Sequence, residues 1–265
     1  MIDEGQAAET SAPVRSQTDV VISGIRDMIS RGDLRAGDRL PVEKDLAARF
    51  GVSRGPLREG VRALAVLGVL ETRQGDGTYV TSLDPLLLLS PLGFFAELQS
   101  GEDSAHLLGV RRILETEAAG NAAIALTDDD LSELTAILDG IDEVLAGDDW
   151  ELDLERFVDA DSAFHRKIAR ASGNPALAAL IESLVSRTFR ARLWRAISQR
   201  GTVREAQAEH RAILGELARR DPQRARIRMA AHVLDVEEFA AEHPPTEESV
   251  GHPTGDNPAA RDSAQ

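Results

Sequence analysis

The positions of apolar residues between 40 and 81 predict two short helices separated by a tight turn. In the first helix Leu46 and Phe50 recur about one turn apart, and Gly51 follows as a left-handed stop. Ser53 is placed to act as the N-cap of a second helix, which is predicted to begin at about Arg54. Two short helices joined in this way are typical of a helix-turn-helix.

The second predicted helix has an apolar stripe and a basic face. Its inward positions at helical spacing are Leu57, Val61, Leu64, Ala65 and Leu67 or Gly68. Arg54, Arg58 and Arg62 are spaced four residues apart on the opposite face. Side chains at the start of such a helix reach phosphates and guanine edges in a major groove. A charged face is more often only a solvated surface, but the turn and the hairpin that flank this helix favour DNA recognition.

A hairpin and a preceding helix complete this predicted domain. Residues 69–72 and 78–80 are predicted as two strands joined by the glycine-rich residues 73–77, which together form a wing. The preceding helix is predicted to be capped by Thr18 or Asp19 and to end at Ser30. Its inward residues are Val20 or Val21, Ile25, Met28 and Ile29. The pattern therefore predicts a winged helix-turn-helix over residues 17–81.

Beyond residue 82 the pattern predicts helices alone, so the fold class is mostly α. Residues 82–103 are predicted as a linker and connecting helix, and residues 104–242 as an all-helical bundle of six or seven helices. Capping residues are predicted at Asp103 or Ser104, Thr127, Asn174 and Asp221, and one helix is expected to run from residue 175 to about 198. Residues 1–16 and 243–265 are polar and predict a disordered arm and tail.

Composition narrows the class of protein. The 265 residues include no cysteine, which fits a reducing cytoplasm and excludes disulfide scaffolds and thiolate metal sites. The N-terminus does not resemble a signal peptide, and the most apolar stretch, residues 85–98, is too short and interrupted to span a bilayer. We therefore expect a cytoplasmic protein without a membrane partner.

The net charge of −15 opposes binding to nucleic acid unless the charge is unevenly distributed. Residues 14–81 carry 11 Lys or Arg against 9 Asp or Glu, whereas residues 82–265 carry 19 against 33. The acidic excess thus belongs to the second predicted domain. This asymmetry leaves the first domain able to bind DNA and suppresses non-specific binding by the rest of the chain.

Histidine and aspartate positions in the helical part suggest a metal site. Asp161 and His165 are four residues apart and share one helical face, a spacing that by itself more often gives a surface hydrogen bond. His210 and His232 lie in the middle of two otherwise apolar helices, where a lone histidine is usually a core residue. Three helices pointing these side chains inward would instead form one site of three histidines and an aspartate. Such ligands suit Zn²⁺, Ni²⁺ or Mn²⁺.

The run LRAGDRLPVEKDLAARFGVSRGPLREGVRALAVLGVLETRQGDGTYV resembles the DNA-binding domain of the GntR family of bacterial transcription regulators. The resemblance implies double-stranded operator DNA as a partner. It also implies contacts to DNA from the start of the first motif helix, from the recognition helix and from the wing. These residues are Lys44, Ser53, Arg54, Arg58, Gln74, Gly75 and Gly77.

The helical part, over about residues 104–240, is similar to the FCD effector domain of the FadR subfamily. The segments VRRILETEAAGNAAIA, DADSAFHRKIARASGNPAL, EHRAILGEL and MAAHV carry this resemblance. It implies that Asp161, His165, His210 and His232 are metal ligands, and that Arg111, with its neighbour Arg112 as the alternative, holds an effector carboxylate. Asn174 is expected to cap a helix and is a second candidate for effector binding. The arginines that could also line the pocket are Arg187, Arg190, Arg192 and Arg195.

Together these features predict a ligand-responsive transcription regulator rather than an enzyme. The resemblance implies a homodimer, an inverted-repeat operator and repression that a small carboxylate effector relieves when it binds beside the metal. Two alternatives keep the DNA-binding function but make the metal structural or make it the sensed signal. A metal-dependent hydrolase is the competing class, although no general base stands out at a suitable spacing.

Overall fold

The computed structural model describes residues 15–98, 104–147, 154–185, 188–198 and 201–243. The chain divides into two compact units, Met1–Leu88 and Leu89–Gln265. Almost all of the predicted arm and tail, and residues 99–103 of the predicted linker, lie outside the described residues.

The first unit contains the predicted winged helix-turn-helix. Its elements are α1 (Gln17–Ser30), α2 (Glu43–Phe50), α3 (Arg54–Val66), β1 (Leu70–Arg73) and β2 (Gly77–Val80). Gly51 ends α2 with φ of 67°, the left-handed conformation that the sequence predicts there. The two strands pair antiparallel from Leu70 opposite Val80 to Arg73 opposite Gly77, which confirms the wing.

The core of the first unit lies between α1 and α3 and is closed by the wing. Its buried residues are Val21, Ile25, Met28, Leu34, Leu40, Leu46, Leu57, Leu64, Leu70 and Val80. Two details of the prediction are wrong. Ser16 caps α1 in place of Thr18 or Asp19, because its side chain and that of Asp19 form a reciprocal capping box. Leu67 is 45% exposed, because it follows the end of α3 and turns away from the core.

The second unit is helical throughout its described part, and α4 begins before the division between the units. The elements are α4 (Pro85–Leu98), α5 (Ser104–Ala125), α6 (Asp128–Ala146), α7 (Leu154–Ala171), α8 (Pro175–Val185), α9 (Phe189–Ser198), α10 (Thr202–Ala218) and α11 (Pro222–Glu242). Among the described helices, none is both long and apolar enough to cross a membrane. The observed architecture confirms the predicted fold class.

Helix boundaries in the second unit follow local capping chemistry. Thr127 and Asp130 form a capping box at the start of α6. Asn174 Oδ1 accepts from the Leu177 backbone N–H at 3.1 Å at the start of α8. Asp221 accepts from two backbone N–H groups and precedes a proline at the start of α11. These three caps are where the sequence predicts them.

The single helix predicted over residues 175–198 is wrong, because α8 ends at Val185 and α9 starts at Phe189. The Val185 carbonyl oxygen accepts from Arg192 Nη2 at 2.8 Å and from Thr188 Oγ1 at 3.3 Å. These side chains thus donate to a carbonyl oxygen that, in a continuous helix, would accept a hydrogen bond from a backbone N–H. The interruption places Thr188 and Arg192 in the interior, where both are buried.

Candidate functional site

The four predicted metal ligands meet in the interior of the helical unit. Asp161 and His165 come from α7, His210 from α10 and His232 from α11. One ligand atom from each lies within 4.8 Å of all the others, and none of the four residues is more than 4% exposed. The same three helices contribute apolar side chains such as Phe164, Ile213 and Met229 to one buried core, so packing rather than any local motif brings them together.

Three histidine Nε2 atoms converge on one point. His210 Nε2 lies 3.1 Å from His232 Nε2, which lies 3.3 Å from His165 Nε2. Asp161 Oδ1 adds a carboxylate oxygen 3.3 Å from His210 Nε2. Two nitrogens bound to one ion at about 2.0–2.1 Å are about 2.9–3.4 Å apart for bond angles between octahedral and tetrahedral. These three separations therefore fit a shared ion, and His165 Nε2 lies further, 3.8 Å, from Asp161 Oδ1.

Two carboxylates outside the cluster contact the Nδ1 atoms of two of the histidines. His232 Nδ1 lies 2.7 Å from Glu209 Oε2, and His165 Nδ1 is in direct contact with Glu115 Oε2. An ionised carboxylate only accepts hydrogen bonds, so His232 Nδ1 is the donor to Glu209. Burial lowers the pKa of His210 and of His232 well below the usual range, which keeps both rings neutral. His232 Nε2 therefore presents a lone pair to its neighbours.

The four converging ligand atoms form a buried group that could hold a metal ion. The donor set of three imidazoles and one carboxylate suits Zn²⁺, Ni²⁺ or Mn²⁺. Carboxylates on the far nitrogens of metal-binding histidines orient the ring and raise the basicity of the ligand. Glu115 and Glu209 were not predicted from the sequence, although Glu115 lies four residues after Arg111 and shares its helical face.

The structure separates the roles of the two adjacent arginines. Arg111 is 1% exposed, and its Nε donates to Glu115 Oε1 at 2.6 Å while Nη1 donates to Thr188 Oγ1 at 2.6 Å. Arg112 points to the other side of α5 and pairs with Glu237 at 2.7 Å. Arg111 is therefore the arginine that reaches the interior next to the predicted metal ligands.

Of the four further arginines, Arg192 lies at the cluster. Its guanidinium contacts Asp161 Oδ2 and donates to Ser162 Oγ at 2.9 Å, and the residue is 7% exposed. Burial, together with the nearby Arg111, lowers the pKa of Arg192 well below its usual range. Arg195 is half-buried on α9, and Arg187 and the side chain of Arg190 lie outside the described residues.

Asn174 stands apart from this cluster. Its side chain is exposed and caps α8, and its described hydrogen bonds are local to that turn. An open surface hollow of about 290 Å³ between α6 and α10 is also separate, because it is lined by residues such as Asp142, Gln207 and Arg211 rather than by the ligands. The Arg211 guanidinium there is already paired with Asp139 and Asp142.

The predicted DNA-contacting residues of the two motif helices are on the surface. Lys44, Ser53, Arg54 and Arg58 are all exposed, and Ser53 is the N-cap position of α3 without a side-chain cap bond. Arg58 is held by Glu43 through Nε at 3.0 Å and Nη2 at 3.0 Å, and this hydrogen bonding lowers the pKa of Glu43. This ion pair was not predicted from the sequence.

The wing presents Gln74 and Gly75 at an exposed tip, with Gly77 half-buried. Gly75 has φ of 76°, which favours glycine at the turn. Behind the tip the Arg39 guanidinium contacts the Asp76 carbonyl oxygen, and the Tyr79 hydroxyl donates to Asp76 at 2.8 Å. These contacts join Asp76 to Arg39 and Tyr79 behind the tip.

Comparison with known proteins identifies both parts of the chain. Residues 17–80 match the gntR family of bacterial regulatory proteins, and residues 106–235 match the FCD domain. The HTH-type transcriptional regulator LutR of Bacillus subtilis (strain 168) is 34% identical over 216 residues, covering 80% of this chain and 95% of LutR. The Exu regulon transcriptional regulator of Escherichia coli (strain K12) is 30% identical over 212 residues, covering 79% of this chain and 78% of that protein.

A solved structure supports the same assignment. Streptococcus agalactiae GntR aligns with a TM-score of 0.59 at 25% identity and covers 83% of this chain and 99% of its own. The matched domains and these relatives are those of transcription regulators rather than enzymes. The chain therefore belongs to the GntR family of bacterial regulatory proteins, as a DNA-binding transcription regulator with a C-terminal FCD effector domain.

Proposed function

We propose that this regulator senses a small carboxylate that binds beside a divalent metal ion in the helical unit. The main support is that three histidine Nε2 atoms and Asp161 Oδ1 converge in a buried space. Among the described contacts, no cationic side chain lies between the histidines. A bound Zn²⁺, Ni²⁺ or Mn²⁺ would supply a Lewis acid that attracts a carboxylate oxygen. The ligands would be Asp161, His165, His210 and His232.

The charges around the cluster support an anionic effector. The two positive charges of Arg111 and Arg192 face three carboxylates, Glu115, Asp161 and the half-buried Glu209, and His210 is neutral because its pKa is lowered. A divalent cation adds two positive charges to this buried group. Burial of net charge is costly, so an anion that enters with the metal is stabilised there. Arg111 or Arg192 would hold its second oxygen.

Burial of the proposed metal ligands also suggests how effector binding changes the conformation of the protein and thereby its affinity for DNA. Because the four ligand residues are at most 4% exposed, an effector must displace neighbouring side chains or helices to reach the ion. A ligand shifts a conformational equilibrium by its differential affinity for the two states. We expect this coupling to be about 1–3 kcal/mol.

On the DNA side, the proposed contacts are Lys44, Ser53, Arg54, Arg58, Gln74, Gly75 and Gly77. One winged helix per chain reads one half-site, so we propose a homodimer through the helical unit that binds an inverted repeat. We further propose that the protein represses and that the effector releases it. A monomer by sedimentation at micromolar concentration, with and without operator DNA, would contradict the proposed assembly.

A structural metal is the second candidate, because four protein ligands can also close a tetrahedral site. Metal content and calorimetric titration with a panel of small organic acids separate the two. The effector proposal predicts that carboxylates bind the metal-loaded protein and bind at least about tenfold more weakly after chelation. Metal binding with carboxylate affinity that is unchanged by chelation would favour the structural role.

A further inference from the structure

Glu115 connects two groups that the proposed function treats separately. It lies on α5 one turn after Arg111 and is 2% exposed. Its Oε1 accepts from Arg111 Nε at 2.6 Å, and its Oε2 contacts His165 Nδ1. One buried carboxylate is thus divided between a candidate effector-binding cation and a candidate metal ligand.

Glu115 is the anionic partner of Arg111 in a buried ion pair, in which both side chains are 2% exposed. Arg111 keeps its own position through a second hydrogen bond, from Nη1 to Thr188 Oγ1. Thr188, Arg111 and Glu115 therefore form a continuous chain of polar contacts that ends at His165.

We propose that Glu115 is a positioning residue that couples occupancy of the metal site to the availability of Arg111 for an anion. This inference rests on the proposed metal site. A metal at His165 Nε2 makes the Nδ1–H a stronger donor and draws the Glu115 charge towards the ring. The hold of Glu115 on Arg111 then weakens, and Arg111 can bind a carboxylate.

Thermodynamic reciprocity requires the reverse effect. An anion bound to Arg111 leaves more of the Glu115 charge to interact with His165. This interaction raises the basicity of the imidazole ring and therefore the affinity for the metal. The coupling free energy is the same in both directions. Metal affinity alone therefore reports the coupling, without knowledge of the natural effector.

Glu209 provides a matched control. It contacts His232 Nδ1 at 2.7 Å, as Glu115 contacts His165, but no described hydrogen bond or ion pair joins it to an arginine. Loss of either carboxylate should weaken metal binding by the same mechanism. A substitution at Arg111, however, should change metal affinity only through Glu115.

The experiment measures Ni²⁺ affinity by calorimetry in the full-length protein, in variants that keep side-chain size. Glu115→Gln and Glu209→Gln should each weaken Ni²⁺ binding by about 10- to 100-fold. Arg111→Lys keeps the positive charge but loses the Nε contact, so it should tighten Ni²⁺ by at least about threefold. That gain should vanish in the Glu115→Gln background and persist in the Glu209→Gln background.

An Arg111→Lys effect of equal size with and without Glu115 would overturn the proposal. If Arg111→Lys does not fold by circular dichroism, Thr188→Val takes its place. Loss of that hydrogen bond leaves Arg111 more tightly paired with Glu115, so Ni²⁺ should bind more weakly, and only when Glu115 is present. Wild-type protein that binds no Ni²⁺ would reject the proposed metal site itself.

Discussion

Metal binding should stabilise the helical unit by an amount that depends on His210. This residue is fully buried, and its Nε2 lies 3.1 and 3.3 Å from two other proposed ligand atoms. The proposed ligands come from three helices, α7, α10 and α11, so they are near one another only in the folded protein. An ion that binds only the folded state stabilises it by mass action.

The expected magnitude follows from the ligand concentration. At a free metal concentration about 100 times Kd, the free energy of unfolding rises by about 2.7 kcal/mol. For a unit of this size the melting temperature should then rise by about 5–11 °C. His210→Ala also leaves a cavity beside Phe164, whose ring centroid is 4.9 Å away, and this costs stability in every condition.

The measurement compares thermal unfolding with chelator and with excess Zn²⁺, Ni²⁺ or Mn²⁺ within each variant, so that the cavity cost cancels. Wild type should show the full shift, and His210→Ala should lose most of it. His106→Ala is the control, because His106 is an exposed histidine on α5 and its loss should leave the shift unchanged. An equal shift in wild type and His210→Ala would refute the site.

Two further predictions concern DNA binding and pH. Arg54→Ala or Arg58→Ala should weaken operator binding by about 1–3 kcal/mol in a fluorescence anisotropy titration at fixed salt. Arg219→Ala, which makes the same charge change in the helical unit, should not weaken it. Full operator affinity in both the Arg54→Ala and the Arg58→Ala variants would remove these residues from the interface. Asp130 has a lowered pKa because of its hydrogen bonds to Lys167 and to the α6 cap. A depressed pKa adds stability above the unfolded value of about 3.9 that is lost as the pH falls. Asp130→Asn should therefore destabilise the protein by about 1–2 kcal/mol at pH 7, and the difference from wild type should shrink below about pH 4. A difference in unfolding free energy that is constant from pH 7 to pH 3 would contradict a stabilising charge on Asp130.

Sequence reasoning succeeded where the signal is local. The left-handed glycine after α2, the capping box of α6 and the glycine-rich turn of the wing each depend on a few adjacent residues. The histidines on α10 and α11 were predicted to point inward because the rest of each helix is apolar. Their convergence with α7, however, rested on resemblance, because no local pattern specifies which helices pack together.

The remaining features depend on tertiary contacts between residues distant in sequence. Glu209 belongs to the site because α10 packs beside α11, which brings it to His232. Where α8 ends, the Val185 carbonyl oxygen accepts from Arg192, a side chain seven residues further along the chain. The preference for Arg111 over its neighbour Arg112 rested on resemblance, and the packing of α5 against α11 shows that Arg112 is the one that faces Glu237.

Operator affinity measured with and without carboxylate, in metal-loaded and chelated protein, tests the central claim most directly. The proposed function predicts that at least one small carboxylate changes operator affinity by about 5- to 150-fold in the metal-loaded protein. The same acid should have much less effect after chelation or in His210→Ala, while operator affinity without effector stays close to that of wild type. A carboxylate response of equal size in metal-loaded, chelated and His210→Ala protein would contradict metal-dependent sensing.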